Sequence, residues 1–310
     1  MIPTLRSLPD PQALAAQVKR AYALQVTEIH LLRSLVNDVY EVGTEGGRYV
    51  LKLYRSAGWT PSEVHWEGDL SAHLDRSGLV VPQVQPLADG SPVGLLDAAE
   101  GTRPFILSSF VVGTRPQPPF DDELYRSFGQ LVAGFHDAAD TFTSSHQRRP
   151  SDLRRRLDEP LALILPLLPE DERELLSALA NAVRDQIELY AGQLSWGVCH
   201  GDVTLDNVLL TDRGLALHDF DLSAEGWRAA DFVGVAATPH WDAFAAGYAA
   251  KRALTDVDTA AIPWLMVAAS IFNLRFHLHD KPLIRGRESI GEGWAANELA
   301  SLRKAARELL

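Results

Sequence analysis

The sequence predicts an α+β protein, with a β-rich N-terminal part followed by a mainly helical C-terminal part. Three observations predict it. Val39–Val42 and Tyr49–Tyr54 are β-type runs, joined by the turn signal Thr44-Glu45-Gly46-Gly47. After Gly113 the apolar spacing becomes helical, with Leu124, Phe128, Leu131, Val132 and Phe135 on one face. Strand runs that precede helical runs, rather than alternating with them, mark α+β over α/β. The division is placed at 1–110 for the first domain and 111–310 for the second.

The elements follow in order. The two β runs form a hairpin. Thr60-Pro61-Ser62-Glu63 is a helix start, with Thr60 as N-cap, Pro61 at the first helical position and Glu63 closing a capping box. That helix runs to about Asp75 and stops before Gly78. Further strands are expected near Val80–Pro86 and Phe105–Val112. Asp121 or Asp122 caps the next helix. Helical pattern then covers about 171–192, 242–252, 258–280 and 291–309. A short β segment at 196–221 interrupts it, with strands at Val208–Leu210 and Leu215–Leu217 around a turn at Thr211–Gly214.

Composition narrows the function classes. In 310 residues, 46% are apolar and 23% charged, enough for a packed core without staples. A single cysteine, Cys199, excludes an internal disulfide and suits a reducing compartment. The N-terminus lacks the charged start and apolar stretch of a signal peptide. The longest apolar stretch, Trp264–Leu274, reads as too short to span a bilayer. A cytoplasmic protein is expected. The net charge of −12 argues against nucleic acid and anionic membrane as partners. It is compatible with a cationic ligand, although solubility alone accounts for it.

The chemistry concentrates at 200–221. Folding the 208–217 hairpin places Asn207 opposite His218 and beside Asp219, since cross-strand neighbours lie about 5 Å apart at Cβ. An amide oxygen and a carboxylate thus meet at the hairpin's open end, and Asp202 lies in the loop leading in. Such oxygen donors suit magnesium, which takes few protein ligands. A nearby carboxylate can accept the proton of an attacking hydroxyl, the remaining requirement of phosphoryl transfer. Any one of Asp202, Asp206 or Asp212 alone would read as a turn residue; the ordered set does not.

This segment resembles the kinase-like phosphotransferases of the aminoglycoside phosphotransferase and choline kinase type. The match lies in His200-Gly201-Asp202 with Asn207 five residues on, and in Asp219-Phe220-Asp221. The resemblance implies a bilobal protein-kinase-like fold, ATP and magnesium as cofactors, and a small-molecule hydroxyl acceptor. It implies Asp202 as catalytic base, Asn207 and Asp219 as magnesium ligands, and Asp221 as a further ligand or a supporting group. Asp231 resembles the carboxylate that braces the catalytic loop. Protein kinases carry Arg where Gly201 stands. Eleven residues separate Asp219 from Asp231, so no activation by loop phosphorylation is expected.

Lys52 sits inside an apolar strand, where a lysine snorkels to water or meets an anion. Glu67 shares a helix face with Leu70 and Leu74, and an inward carboxylate needs a partner. The two are expected to pair and, by the resemblance, to position the ATP phosphates. No glycine-rich loop precedes Lys52, so Ser34, Asn37 and backbone N–H groups are the phosphate candidates. Ser108, Ser109 and Phe110 are expected to form the hinge that reads adenine.

For the acceptor, the candidates are Asp206, Glu225, Trp227, Trp241, Asp242 and Arg275, a set that suits a cationic, amine-bearing molecule. Tyr49–Arg55, Trp59-Thr60, Glu67 and the Asp219 to Gly226 pattern also resemble the bacterial stress-response Ser/Thr kinase, which makes a protein substrate the main alternative, with homoserine-kinase-like and sugar-kinase-like roles open beside it. A nucleotide-binding pseudokinase predicts a lost catalytic group, and none is lost. The basic residues of Ser144–Pro150 and Arg154–Arg156 read as solvated surface. His136 reads as a core histidine and Cys199 as buried and inert. His277 and His279 do not share a helix face, which assigns no metal to them. Nothing in the sequence sets the oligomeric state.

Overall fold

A computed structural model describes residues 2–56 and 58–310. The chain divides into two compact units. The first takes in the chain up to Pro116 with Thr141–Arg148 and Leu205–Asp221; the second comprises Gln117–Asp140, Arg149–Thr204 and Leu222–Leu310.

In the first unit, helix α1 (Pro11–Tyr22) leads into strands β1 (Val26–Ser34), β2 (Asp38–Thr44) and β3 (Gly47–Leu53). Helix α2 (Pro61–Arg76) and strands β4 (Gly94–Ala98) and β5 (Gly101–Ser109) follow. The strands form one antiparallel sheet in the order β1-β2-β3-β5-β4. Leu14, Val18 and Tyr22 of α1 cover one face through Tyr40, Val42, Leu51 and Phe105. Val64 of α2 packs with Tyr54 and Ile106 on the other face. Both faces are covered, so Leu51–Tyr54 is a continuous buried run in which a lysine is embedded.

The β2–β3 hairpin forms in the expected register, with Thr44 opposite Gly47. The capping box at Thr60 and Glu63 closes in both directions. The strand expected at Val80–Pro86 does not form; only Val84 makes a bridge, to Ser108. Pro82 and Pro86 remove the donors a ladder needs there. Strands β7 (Val208–Thr211) and β8 (Gly214–Leu217) pair as expected.

The second unit holds helices α3 (Asp122–Ala139), α4 (Glu159–Ile164), α5 (Glu170–Tyr190), α6 (Val233–Ala236), α7 (Trp241–Ala249), α8 (Asp256–Arg275), α9 (Lys281–Arg285) and α10 (Trp294–Leu309). A two-stranded ribbon pairs β6 (Trp196–Cys199) with β9 (Ala224–Trp227) and leads into the loop that carries Asp202. Asp121 caps α3 by accepting the Leu124 N–H at 2.8 Å. Helices α3 and α7 approach closely at glycines: a Cβ on Gly247 would lie 2.0 Å from the Arg126 carbonyl oxygen. The apolar stretch at 264–274 belongs to a continuous helical run, Asp256–Arg285, that is long and apolar enough by length and composition to cross a membrane. It was expected to be too short; the polar residues at its ends extend the helix without breaking it. Its Ala261, Leu265, Ala268, Ile271 and Leu274 are buried, and α8 packs against α4, α5 and α10.

Candidate active site

In the first unit, β3 carries Lys52 into a cluster of acids. Its Nζ lies 2.7 Å from Asp219, 3.3 Å from Asp221 and 3.4 Å from Glu67. Both aspartates follow the β7–β8 hairpin, whose end is closed by the His218 N–H donating to the Asn207 carbonyl at 3.1 Å. Asp219 adopts φ +69°, a left-handed conformation that a non-glycine residue holds only when its surroundings enforce it. Burial works against the Lys52 charge, but Asp219, Asp221 and Glu67 outweigh it and hold the ammonium well above the ordinary lysine range. Burial would raise Asp219 as well, yet Lys52 and Arg33 hold its carboxyl far below the usual range. Burial and the adjacent Asp219 charge push Asp221 upward. Two buried carboxylates thus compete for one lysine, a set a divalent cation would relieve. Among the described residues no group of three or more His, Cys, Asp or Glu is placed to hold a metal. Asp219 and Asp221 nevertheless offer oxygen donors of the kind magnesium accepts.

Several expectations need correction. The expected Lys52–Glu67 pair is present at 3.4 Å, and the Tyr54 hydroxyl also donates to Glu67, at 2.7 Å. Arg148, read as surface from its basic neighbourhood, is buried. It lies 3.3 Å from Glu67, donates to the Phe220 and Asp221 carbonyls and stacks on Trp66. Ser34 and Asn37, expected to contact phosphates, each hydrogen-bond an acid in this structure. The Ser34 hydroxyl donates to Asp38 at 2.7 Å, and the Asn37 amide donates to Asp221 at 2.8 Å. The side chain of that segment that reaches the acids is Arg33, 3.0 Å from Asp219. In the expected hinge, the Ser109 N–H donates to Gln83 and the Phe110 N–H to Arg48, so these two amides are already committed. Ser108 is buried, with its hydroxyl turned to the Val50 carbonyl. Neither Arg33 nor Arg148 carries a periodicity signal: Arg33 is an exposed residue near the end of β1, and Arg148 is a loop cation buried by residues distant in sequence.

In the second unit, the loop that carries Asp202 is held by its backbone. Asp231 accepts the His200 and Gly201 N–H groups, each at 2.7 Å. His136 lies 3.0 Å from Asp231 and 2.8 Å from the Tyr248 hydroxyl. Burial lowers the His136 pKa, partly offset by Asp231, while hydrogen bonds keep Asp231 low against its own burial. Gly201 has φ +84°, and a Cβ there would lie 2.4 Å from the Leu222 carbonyl oxygen. Only glycine fits this turn. The loop thereby exposes Asp202 on the wall of a cavity of about 170 Å³. Arg156, read as surface, lines that cavity, as do Trp227 and Phe272. Of the other acceptor candidates, Glu225 and Asp242 are exposed and Trp241 packs on Phe232 and Phe244. Asp206 lies exposed in the first unit.

Fold and site together define a kinase-like phosphotransferase. The phosphotransferase enzyme family matches residues 28–263, about three quarters of the chain, and the chain belongs to it. An uncharacterized protein of Deinococcus radiodurans is 38% identical over 286 residues, covering 87% of this chain and 82% of that protein. A homoserine kinase of Neisseria meningitidis is 26% identical over 255 residues, covering 78% and 79%. The solved structure of amicoumacin kinase hAmiN, in complex with AMP-PNP, Ca2+ and Ami, superposes with a TM-score of 0.78 at 17% identity, covering 96% and 94%. The fold is protein-kinase-like, and the protein is a phosphotransferase with an alcohol group as acceptor.

Proposed function

We propose that the enzyme transfers the γ-phosphate of ATP, with magnesium, to a hydroxyl of a small molecule. The observation that carries this reading is the embedding of Lys52 among Asp219, Asp221 and Glu67. A buried lysine that faces three acids is held at a fixed place, ready for phosphate oxygens. Asp219 and Asn207, with Asp221 beside them, would hold magnesium, whose charge would offset that of the phosphates. Arg33, half exposed and already turned toward Asp219, adds a cation where a glycine-rich loop is missing. The first unit would thus bind the nucleotide and the second the acceptor.

Asp202 acts as the base in this reading. It takes the proton of the acceptor hydroxyl as oxygen attacks phosphorus. Asp231 supports it indirectly, because its two backbone hydrogen bonds set the turn on which Asp202 is carried. Relatives whose names are homoserine kinase and amicoumacin kinase support a small-molecule acceptor over a protein chain.

Thermal-shift titration tests the nucleotide half. ATP with magnesium should raise the melting temperature of the wild type, ATP alone should do so less, and Asp219→Asn should remove the metal's contribution. Equal stabilisation of both proteins with and without magnesium would sink the metal assignment.

A further inference from the structure

The chain ahead of α1 is attached to the first unit by polar groups. Its Ile2, Leu5 and Leu8 are all exposed, so apolar burial does not hold it. Arg6 does. Its Nη1 donates to the Leu35 carbonyl at 3.0 Å, and its Nη2 donates to the Ser34 hydroxyl and the Asp38 carboxylate. One residue on, the Ser7 carbonyl accepts from Arg103 at 3.0 Å, and the Ser7 hydroxyl donates to Glu100 at 2.7 Å. The three groups that Arg6 grips lie in or beside a single turn, 35–37, which joins β1 to β2. Within the turn the Leu35 N–H reaches the Asn37 carbonyl at a long 3.3 Å, so the shorter bond from Arg6 adds restraint that the turn lacks on its own. Both sides of this turn reach the acids around Lys52. Arg33, next to Ser34 in β1, lies 3.0 Å from Asp219. Asn37 is buried, and its amide donates to Asp221 at 2.8 Å.

We propose that Arg6 is a positioning residue for the nucleotide: it fixes the turn between β1 and β2, and so keeps Arg33 and Asn37 at Asp219 and Asp221. The inference rests on Lys52 and its acids being the phosphate site, and adds a residue that touches neither phosphate nor metal. The geometry suits an arginine. Its planar fork serves a carbonyl, a hydroxyl and a carboxylate from one side chain, whereas a lysine offers a point charge on a flexible stem. Order, rather than charge, is what Arg6 contributes. Asp38 is also paired with the fully buried Arg103 at 2.7 Å, so loss of Arg6 leaves that carboxylate answered. The fold therefore survives the loss, while the turn is released. Arg33 is exposed and depends on the turn for its place. A released turn must be ordered when the nucleotide binds, and that cost is subtracted from affinity.

Calorimetric binding of AMP-PNP with magnesium to the full chain tests this without an acceptor. Arg6→Gln should raise the dissociation constant by about 2- to 30-fold, the usual reach of a residue that acts through its neighbours. Arg6→Lys should recover part of the loss. In the nucleotide-free protein, amide hydrogen exchange at 34–38 should quicken in Arg6→Gln while that of β3 and β5 stays at the wild-type rate. A double-mutant cycle with Arg33→Gln separates positioning from general stability. If Arg6 acts through the turn beside Arg33, the two losses are not additive, and Arg6→Gln costs less affinity in the Arg33→Gln background. Fully additive losses, unchanged exchange at 34–38, or a lower melting temperature with wild-type affinity would make Arg6 a folding anchor and overturn the proposal. Should Arg6→Gln not fold, Arg6→Lys takes its place in the cycle, and wild-type affinity there overturns the proposal equally. Lys52→Met checks the reading beneath it and should remove most of the binding. Unchanged affinity in Lys52→Met would mean that the phosphate site itself is misplaced; lost affinity there beside wild-type affinity in Arg6→Gln would remove the positioning role alone.

Discussion

Single side chains decide most of the electrostatics of this enzyme. Arg148 is the clearest case: it neutralises Glu67 from within the protein and ties down the carbonyls of Phe220 and Asp221. Replacing it with Met leaves a buried carboxylate with one partner fewer. Breaking an enclosed pair on one side costs about 3–5 kcal/mol, and urea denaturation of Arg148→Met should show a loss of that order. Asp38 offers a pH test. It is fully buried against Arg103, also fully buried, and accepts from Ser34. Burial would raise its pKa, but Ser34, Arg103 and Arg6 outweigh burial and hold it below the ordinary 3.8. A depressed carboxyl stabilises the fold above its unfolded value and loses that contribution as pH falls through the folded one. Stability should therefore decline below about pH 4, and Asp38→Asn should lower stability at neutral pH while flattening the acid decline. A urea titration from pH 7 to 3 reads both. A wild-type acid limb in the variant would remove Asp38 from the explanation.

At the level of elements, local chemistry was readable wherever it repeats or caps. The β2–β3 hairpin, the box at Thr60 and Glu63, and the amphipathic α3 follow from turn residues, a cap and helical spacing. Strand β1 escaped notice because most of its residues face solvent, so its pattern lacks a buried side. Helix α1 is short, with only Leu14, Val18 and Tyr22 buried. Contact between helices is set by glycines whose role no single-chain pattern reveals. Gly247→Ala would push its Cβ into the Arg126 carbonyl at 2.0 Å. Forcing α3 and α7 apart should cost about 1–3 kcal/mol. Gly134→Ala, on α3 with open space at its Cβ, should instead gain roughly 0.5–1 kcal/mol from helix propensity. Thermal denaturation of the two variants should move in opposite directions. Equal shifts would mean that helix packing at Gly247 is looser than described.

For the whole molecule, the motif at 200–221 was legible because a loop, a hairpin and a carboxylate pair follow one another in the chain. What lay outside it came from distance in sequence. Arg33, Arg148 and Arg156 reach their acids or their cavity from segments that look like ordinary charged loop or helix surface, and only folding brings them there. In the proposed function, Lys52 and the acids around it would serve the nucleotide and Asp202 the acceptor. The most direct test is turnover of Asp202→Asn measured beside its affinity for ATP with magnesium. The account predicts turnover lower by about 10²–10⁴, the usual contribution of a positioned base, with nucleotide affinity within a few-fold of the wild type. Wild-type turnover in that variant would contradict it.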